Sequence, residues 1–223
     1  GTLAERTNLS ILVLEAGGSD FRPDVKVPIG YGMSFFNPKV NWCYSSIPQK
    51  YLNGRSLYVP RGKVIGGSGS INAMVYLRGL KNDFDDWESF SSSDLGWDSV
   101  SSTYNEIEGV RKNSGNKRIY VSDVADQHQA MVKNFIDAGE GLGFKRTADL
   151  NYDIPEGVGH YPLSTKKGIR WTASDGFLKP AFKIPNLTIF KNHTNDINIQ
   201  SSKILKVKKH AFKDVLNIDN YDI

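Results

Sequence analysis

Cysteine is almost absent from this sequence: Cys43 is the only one in 223 residues. An intrachain disulfide is therefore excluded, and so is a metal cluster held by several thiolates. A reducing compartment is the natural expectation, either cytoplasmic or peripheral to an inner membrane. No apolar run approaches the roughly 20 residues that a membrane-spanning helix needs. The first residues also lack the basic region and hydrophobic stretch of a secretory signal. Charge of one sign is scarce too. Lysine and arginine total 28 against 24 acidic residues, a net charge of +4. With no basic arm and no basic–aromatic alternation beside that small surplus, nucleic acid is not an expected partner. What remains is an ordinary soluble composition, 39% hydrophobic, with enough apolar material for a sizeable core.

Residues 10–14, SILVL, are branched and apolar and predict a strand buried on both faces, as in a parallel sheet. The strand runs into Glu15, Ala16, Gly17 and Gly18, an acid followed by a flexible turn. Residues 3–6 read as the end of a helix, so the chain is expected to open partway through a βαβ unit whose first strand is missing. From 19 to 60 the sequence is rich in Pro, Gly, Asn and aromatics without clean periodicity, the signature of a stretch folded around something. The segment 61–78, RGKVIGGSGSINAMVYLR, is a Gly/Ser-rich loop, with Ser68 or Ser70 placed to cap a helix beginning near Ile71.

Further on, helices are predicted over 83–90, 100–110, 126–142 and 172–182. The third of these should bury Met131, Phe135 and Ala138. Short strands are predicted over 118–121 and 187–190. Residues 145–170 read as loop, and the lysine-rich 203–210 as one solvated edge strand.

Two constellations carry chemistry. An acid ending the second strand of a dinucleotide-binding sheet can accept hydrogen bonds from ribose hydroxyls, which suits Glu15, but taken alone an ordinary strand-end acid facing water is the commoner reading. Gly62, Gly66, Gly67 and Gly69 leave backbone amides accessible, and a helix just beyond would aim its positive end at a pyrophosphate or flavin edge. A flexible surface loop, or close packing of a helix on a sheet, also accounts for them. A kinase-type phosphate loop is disfavoured because no Gly-Lys-Ser/Thr follows. No Gly-x-Ser-x-Gly elbow supports serine hydrolysis.

RGKVIGGSGSINAMVYLRG over 61–79 closely resembles the signature of the glucose–methanol–choline (GMC) oxidoreductases. DFDDWE, LGWDSVSSTYNEIE, GIR, TASDGFLKPA and NLTI follow in that family's order, and SILVLEAGG resembles its second Rossmann strand. The resemblance implies an α/β fold: a partial FAD-binding, Rossmann-like doubly wound sheet with the start of a second, substrate-binding domain. It implies an incomplete FAD-binding region over 1–110, the start of the substrate domain over 111–167, and a return to the FAD region over 168–223. By position, Glu15 would hold the adenosine ribose, and Val64, Gly66 and Gly67 would lie along the cofactor. Asn72, Ala73, Met74 and Val75 would meet the flavin or pyrophosphate, and Asn195 would reach adenine through its backbone.

Some members attach FAD covalently to a histidine where this sequence has Ile71, so non-covalent FAD is expected. The implied reaction is FAD-dependent oxidation of the CH–OH group of a small choline- or alkanol-like alcohol, with hydride passing to flavin N5 and an unspecified electron acceptor. A dehydrogenase is preferred to an oxidase. The family's Gly-x-Gly-x-x-Gly turn would precede residue 1, and its catalytic histidine would follow Ile223. None of His128, His160, His193 or His210 matches that motif, so no catalytic residue is assigned and this segment alone is expected to be inactive. The alternative is a non-catalytic fragment or split-gene piece that binds flavin or a partner.

Overall fold

The computed structural model describes residues 1–90, 95–110, 118–151, 156–193, 197–200 and 203–207. In chain order it contains α1 (Thr2–Arg6), β1 (Ile11–Glu15), α2 (Pro23–Lys26), α3 (Tyr31–Ser34), β2 (Tyr44–Ser45) and β3 (Tyr58–Val59). These are followed by α4 (Lys81–Phe90), α5 (Trp97–Ile107), β4 (Glu108–Val110), β5 (Ile119–Val121) and α6 (Ala130–Gly141). The last strands are β6 (Thr165–Lys166), β7 (Ile169–Arg170), β8 (Leu187–Lys191), β9 (Ile197–Gln200) and β10 (Lys203–Val207). The described residues form two compact units: Gly1–Ile71 with those of Phe177–Ile223, and those of Asn72–Gly176.

In the first unit, β1 and β8 pair in parallel, with Ile11 opposite Leu187 and Glu15 opposite Lys191. Every residue of β1 is only half-buried, which corrects the expectation of a strand covered on both faces. Among the described residues β8 is its single partner. The fully enclosed apolar cluster lies elsewhere, in Val25, Val40, Val64 and Ile71. Asp20, 2% exposed, binds Lys26 and Lys179 at 2.9 Å each and so ties α2 to the segment before β8.

The aromatic-rich 19–60 stretch hides a long hairpin. Asn41 bridges Gly62, β2 pairs with β3, and Gln49 bridges Arg55. Its tip is Asn53–Gly54, both left-handed (φ 54° and 73°), a residue pair suited to a tight hairpin turn. Asn41, 1% exposed, holds the base. Its Nδ2 donates to the Phe35 carbonyl and the Tyr58 hydroxyl, and its Oδ1 accepts the N–H groups of Cys43 and Arg61. A buried amide satisfied this fully rigidifies its surroundings instead of costing stability.

In the second unit, α4 and α5 meet through the rings of Phe84, Trp87, Trp97 and Tyr104. Beneath them the Arg78 guanidinium pairs with Glu108, which also accepts the Tyr76 hydroxyl. Burial first, and then the Glu108 carboxylate, push the Tyr76 hydroxyl far above its usual range, so it stays protonated and donates. α6 begins later than predicted and turns the opposite face inward. Met131 and Phe135 are 75% and 73% exposed and Ala138 is exposed, whereas Ile136 is buried. Gly139 lies against the inner packing of this face, where a Cβ would press on the Val158 side chain.

The 145–170 region contains the β6–β7 hairpin. The predicted helix over 172–182 is instead a π-helical turn (Ser174–Leu178) followed by a 3-10 turn (Lys179–Lys183). Pro180 lacks the N–H that an α-helical ladder would need there. In the lysine-rich tail the expected edge strand is present as β10, which pairs antiparallel with β9. No helix among the described residues is long and apolar enough to cross a membrane.

Candidate functional site

The end of β1 sets the first group of residues. Glu15 carries the strand's last pairing, and its carboxylate accepts the Gly17 N–H at 2.7 Å. Its carbonyl accepts the N–H of His193, just past β8. Gly17 is packed so closely that a Cβ would overlap the Lys63 carbonyl. The next residue, Gly18, forms a parallel bridge to Val64. The acid, the turn after it and the start of the Gly/Ser loop are thus brought together at the strand end. Val64 sends its side chain into the core, fully buried, and leaves its backbone to the loop. Gly66 and Gly67 follow with φ of 91° and 61°, a left-handed pair that glycine adopts without steric cost. At Gly67 an added Cβ would meet nothing within 4 Å, so this face of the loop is open.

The loop does not continue as the predicted helix. Residues Gly67–Ser70 form a single 3-10 turn, closed by the Ser70 hydroxyl on the Ile65 carbonyl. The reason lies just beyond, in the second unit. Asn72 Oδ1 accepts the Met74 N–H at 2.9 Å, and Met74 is left-handed (φ 65°). A side chain that captures a nearby backbone N–H competes with helix formation. Asn72 and Ala73 are exposed, Met74 is buried and Val75 is 42% exposed.

Sequence reasoning missed what holds this segment. Residues 74–76 run beside 162–164: Tyr76 N–H donates to the Pro162 carbonyl, and Ser164 donates to the Met74 carbonyl through both N–H and hydroxyl. Arg170, fully buried on β7, donates from Nη1 to Asn72 Oδ1 at 2.8 Å. Burial lowers the Arg170 pKa to about 10, which leaves it charged at neutral pH. The available signal was Lys167–Gly168, a pair of left-handed residues turning β6 into β7.

Asn195 lies outside the described residues. A cavity of about 520 Å³ lies within the first unit beside Asp20, Ile65, Phe182, Leu187 and Ile189. None of the residues assigned to FAD from the sequence lines it, although Lys191, opposite Glu15, does. The His160 ring lies against that of His128, tilted at 41° with centroids 4.2 Å apart, as a packing histidine would.

A model of the GMC oxidoreductase family matches residues 8–211. An oxygen-dependent choline dehydrogenase from Sinorhizobium fredii is 34% identical over 213 residues, covering 92% of this chain and 38% of that protein. An alcohol dehydrogenase (acceptor) from Pseudomonas putida is 32% identical over 223 residues, covering 96% of this chain and 40% of its own. Among solved structures, pyridoxine 4-oxidase from Mesorbium loti superposes with a TM-score of 0.80 at 28% identity, over 91% of this chain and 41% of that one. The chain thus spans about two fifths of the length of these relatives. The expected α/β class agrees with that superposition. With a family match over most of its length, a strand-end acid and a glycine turn in the signature loop, this chain belongs to the GMC oxidoreductases.

Proposed function

We propose that this chain is the FAD-holding part of an oxidoreductase that acts on the CH–OH group of a small choline- or alkanol-like alcohol, as a dehydrogenase. The observation that carries the reading is the signature loop. It combines a left-handed glycine pair open on one side with an exposed Asn72 whose conformation is fixed. These features fit a flat, electron-rich cofactor with a pyrophosphate. Open glycines permit close approach, and amide donors suit its oxygens. Glu15, Val64, Gly66 and Gly67, then Asn72, Ala73, Met74 and Val75, are the residues assigned to FAD, with Asn195 assigned to adenine. When bound, FAD supplies the hydride acceptor, while the protein's part is placement.

In this reading 1–110 and 168–223 serve FAD, and 111–167 begins the substrate-binding domain. That division describes which ligand each segment serves and is independent of the compact units. The alcohol and the electron acceptor belong to the activity of a protein of the relatives' full extent. Non-covalent attachment is part of the proposal. Ile71 stands where some family members carry a flavin-linked histidine, and its apolar side chain is packed with Val25, Val40 and Val64.

Titration with FAD of a protein of the relatives' full extent carrying this segment, followed by flavin fluorescence and absorbance, tests the reading. Saturable quenching is expected, with the flavin released into the supernatant on acid precipitation. Asn72→Asp should weaken binding about tenfold by replacing a donor with a charge that repels phosphate and reduced flavin. A protein of the relatives' full extent that carries this segment and never takes up FAD would overturn the proposal, and flavin retained in the acid pellet would overturn its non-covalent part.

A further inference from the structure

Asn72 is exposed, yet its side chain is not conformationally loose. Its Oδ1 accepts two hydrogen bonds, from Arg170 Nη1 at 2.8 Å and from the Met74 N–H at 2.9 Å. A carboxamide oxygen has two lone pairs, and here both are engaged. The two Nδ2 hydrogens have no partner among the described residues. Flipping the amide would set Nδ2 against the guanidinium and a backbone N–H, donor against donor on both sides. The orientation therefore has one low-energy solution, and what Asn72 presents outward is a donor.

The group that enforces this is built to stay put. Arg170 is fully buried. It sits on a two-stranded hairpin whose Thr165 pairs with Arg170 itself, and whose flank, Ser164, grips the Met74 carbonyl through N–H and hydroxyl. Trp171 N–H donates back to the Ser164 carbonyl. Arg170 and Ser164 thus approach the 72–74 turn from one hairpin, one fixing the side chain and the other the backbone.

We infer that Arg170 is a positioning residue: it orients the Asn72 carboxamide so that Nδ2 donates to an acceptor oxygen or nitrogen of the bound cofactor. The inference rests on the FAD reading above and deepens it by naming the polarity of the contact and the residue that sets it. Arg170 acts through Asn72 and needs no contact with the ligand.

The test is a double-mutant cycle with FAD as the probe, using a protein of the relatives' full extent that carries this segment and its variants Asn72→Ala, Arg170→Met and their combination. Each single variant should weaken FAD about five- to tenfold, the range expected for one hydrogen bond. Because Arg170 works through Asn72, Arg170→Met should change affinity less than about twofold once Asn72 is alanine. The perturbation of the flavin absorption band should be the same in both single variants.

A second readout needs no ligand. The Asn72 side-chain amide should give one sharp ¹⁵N–¹H pair in the wild type and an averaged or displaced pair in Arg170→Met. If Arg170→Met does not fold, Arg170→Lys serves in its place. It keeps the charge and one donor, and should retain most of the affinity and the sharp amide pair. Equal losses from Arg170→Met with and without Asn72, or an Asn72 amide indifferent to residue 170, would overturn the inference while leaving the FAD reading intact. Failure of the unmutated full-extent protein to bind FAD would overturn the FAD reading itself, and the cofactor contact with it.

Discussion

Gly67 and Met74 lie in one loop and share nearly the same left-handed backbone, φ 61° and 65°, but they reach it by opposite means. Around Gly67 the shape needs nothing from its neighbours, because glycine pays no steric penalty and the space beside it is open. Around Met74 the shape is imposed. The Asn72 amide, the Ser164 hydroxyl and N–H, and a buried thioether side chain hold a conformation that methionine would otherwise avoid. The first half of the signature is permissive by composition and the second rigid by long-range contact. A loop that must admit a ligand closely and still aim a polar group precisely needs both.

The comparison breaks most severely at its far anchor. The second half ends on Arg78, which is locked to Glu108 with both side chains almost wholly enclosed. Glu108→Ala should strip the buried Arg78 guanidinium of its carboxylate and cost about 3–5 kcal/mol, visible as a lower urea midpoint. An unmoved midpoint would mean that the loop is not held from that end. Met74→Gly sharpens the contrast. It relieves a left-handed side chain but removes buried methylenes, and should still destabilise by about 2 kcal/mol in the same melt. A stabilised variant would show that strain, not packing, dominates there. Gly67→Ala should be the mildest of the three, at about 1 kcal/mol, since only backbone strain opposes it. A loss as large as that of Met74→Gly would mean that the open face is in fact filled.

The parts of this fold that could be read from the sequence are those whose signal is local. SILVL and NLTI announce β1 and β8, and the acid-rich start of α4 announces that helix. The order of the family motifs marks the candidate loop in the sequence itself. What escaped depends on partners distant in sequence. Ser68 and Ser70 looked like helix caps beside Ile71, but the capture of Met74 N–H by Asn72 ends the turn first. The periodicity of Met131, Phe135 and Ala138 was real and marked the wrong face, because Gly139 lies against Val158 from another segment. Arg170 was visible only as part of a motif. Its reach to Asn72 spans 98 positions, which no window of sequence reveals. The Asn53–Gly54 turn was a local signal overlooked among so many irregular neighbours.

The buried Asn41 has a consequence for how this chain can change over time. By accepting the N–H groups of Cys43 and Arg61 on one oxygen, it staples the hairpin at its base, immediately before the signature loop begins. Toward the tip the hairpin is exposed, and Tyr51 is 92% exposed. Insertions, deletions and drift in sequence at such a tip are tolerated because no buried backbone depends on it. The distal hairpin can therefore diverge or be extended, carrying new surface or specificity, while the geometry of the loop behind Asn41 is inherited unaltered.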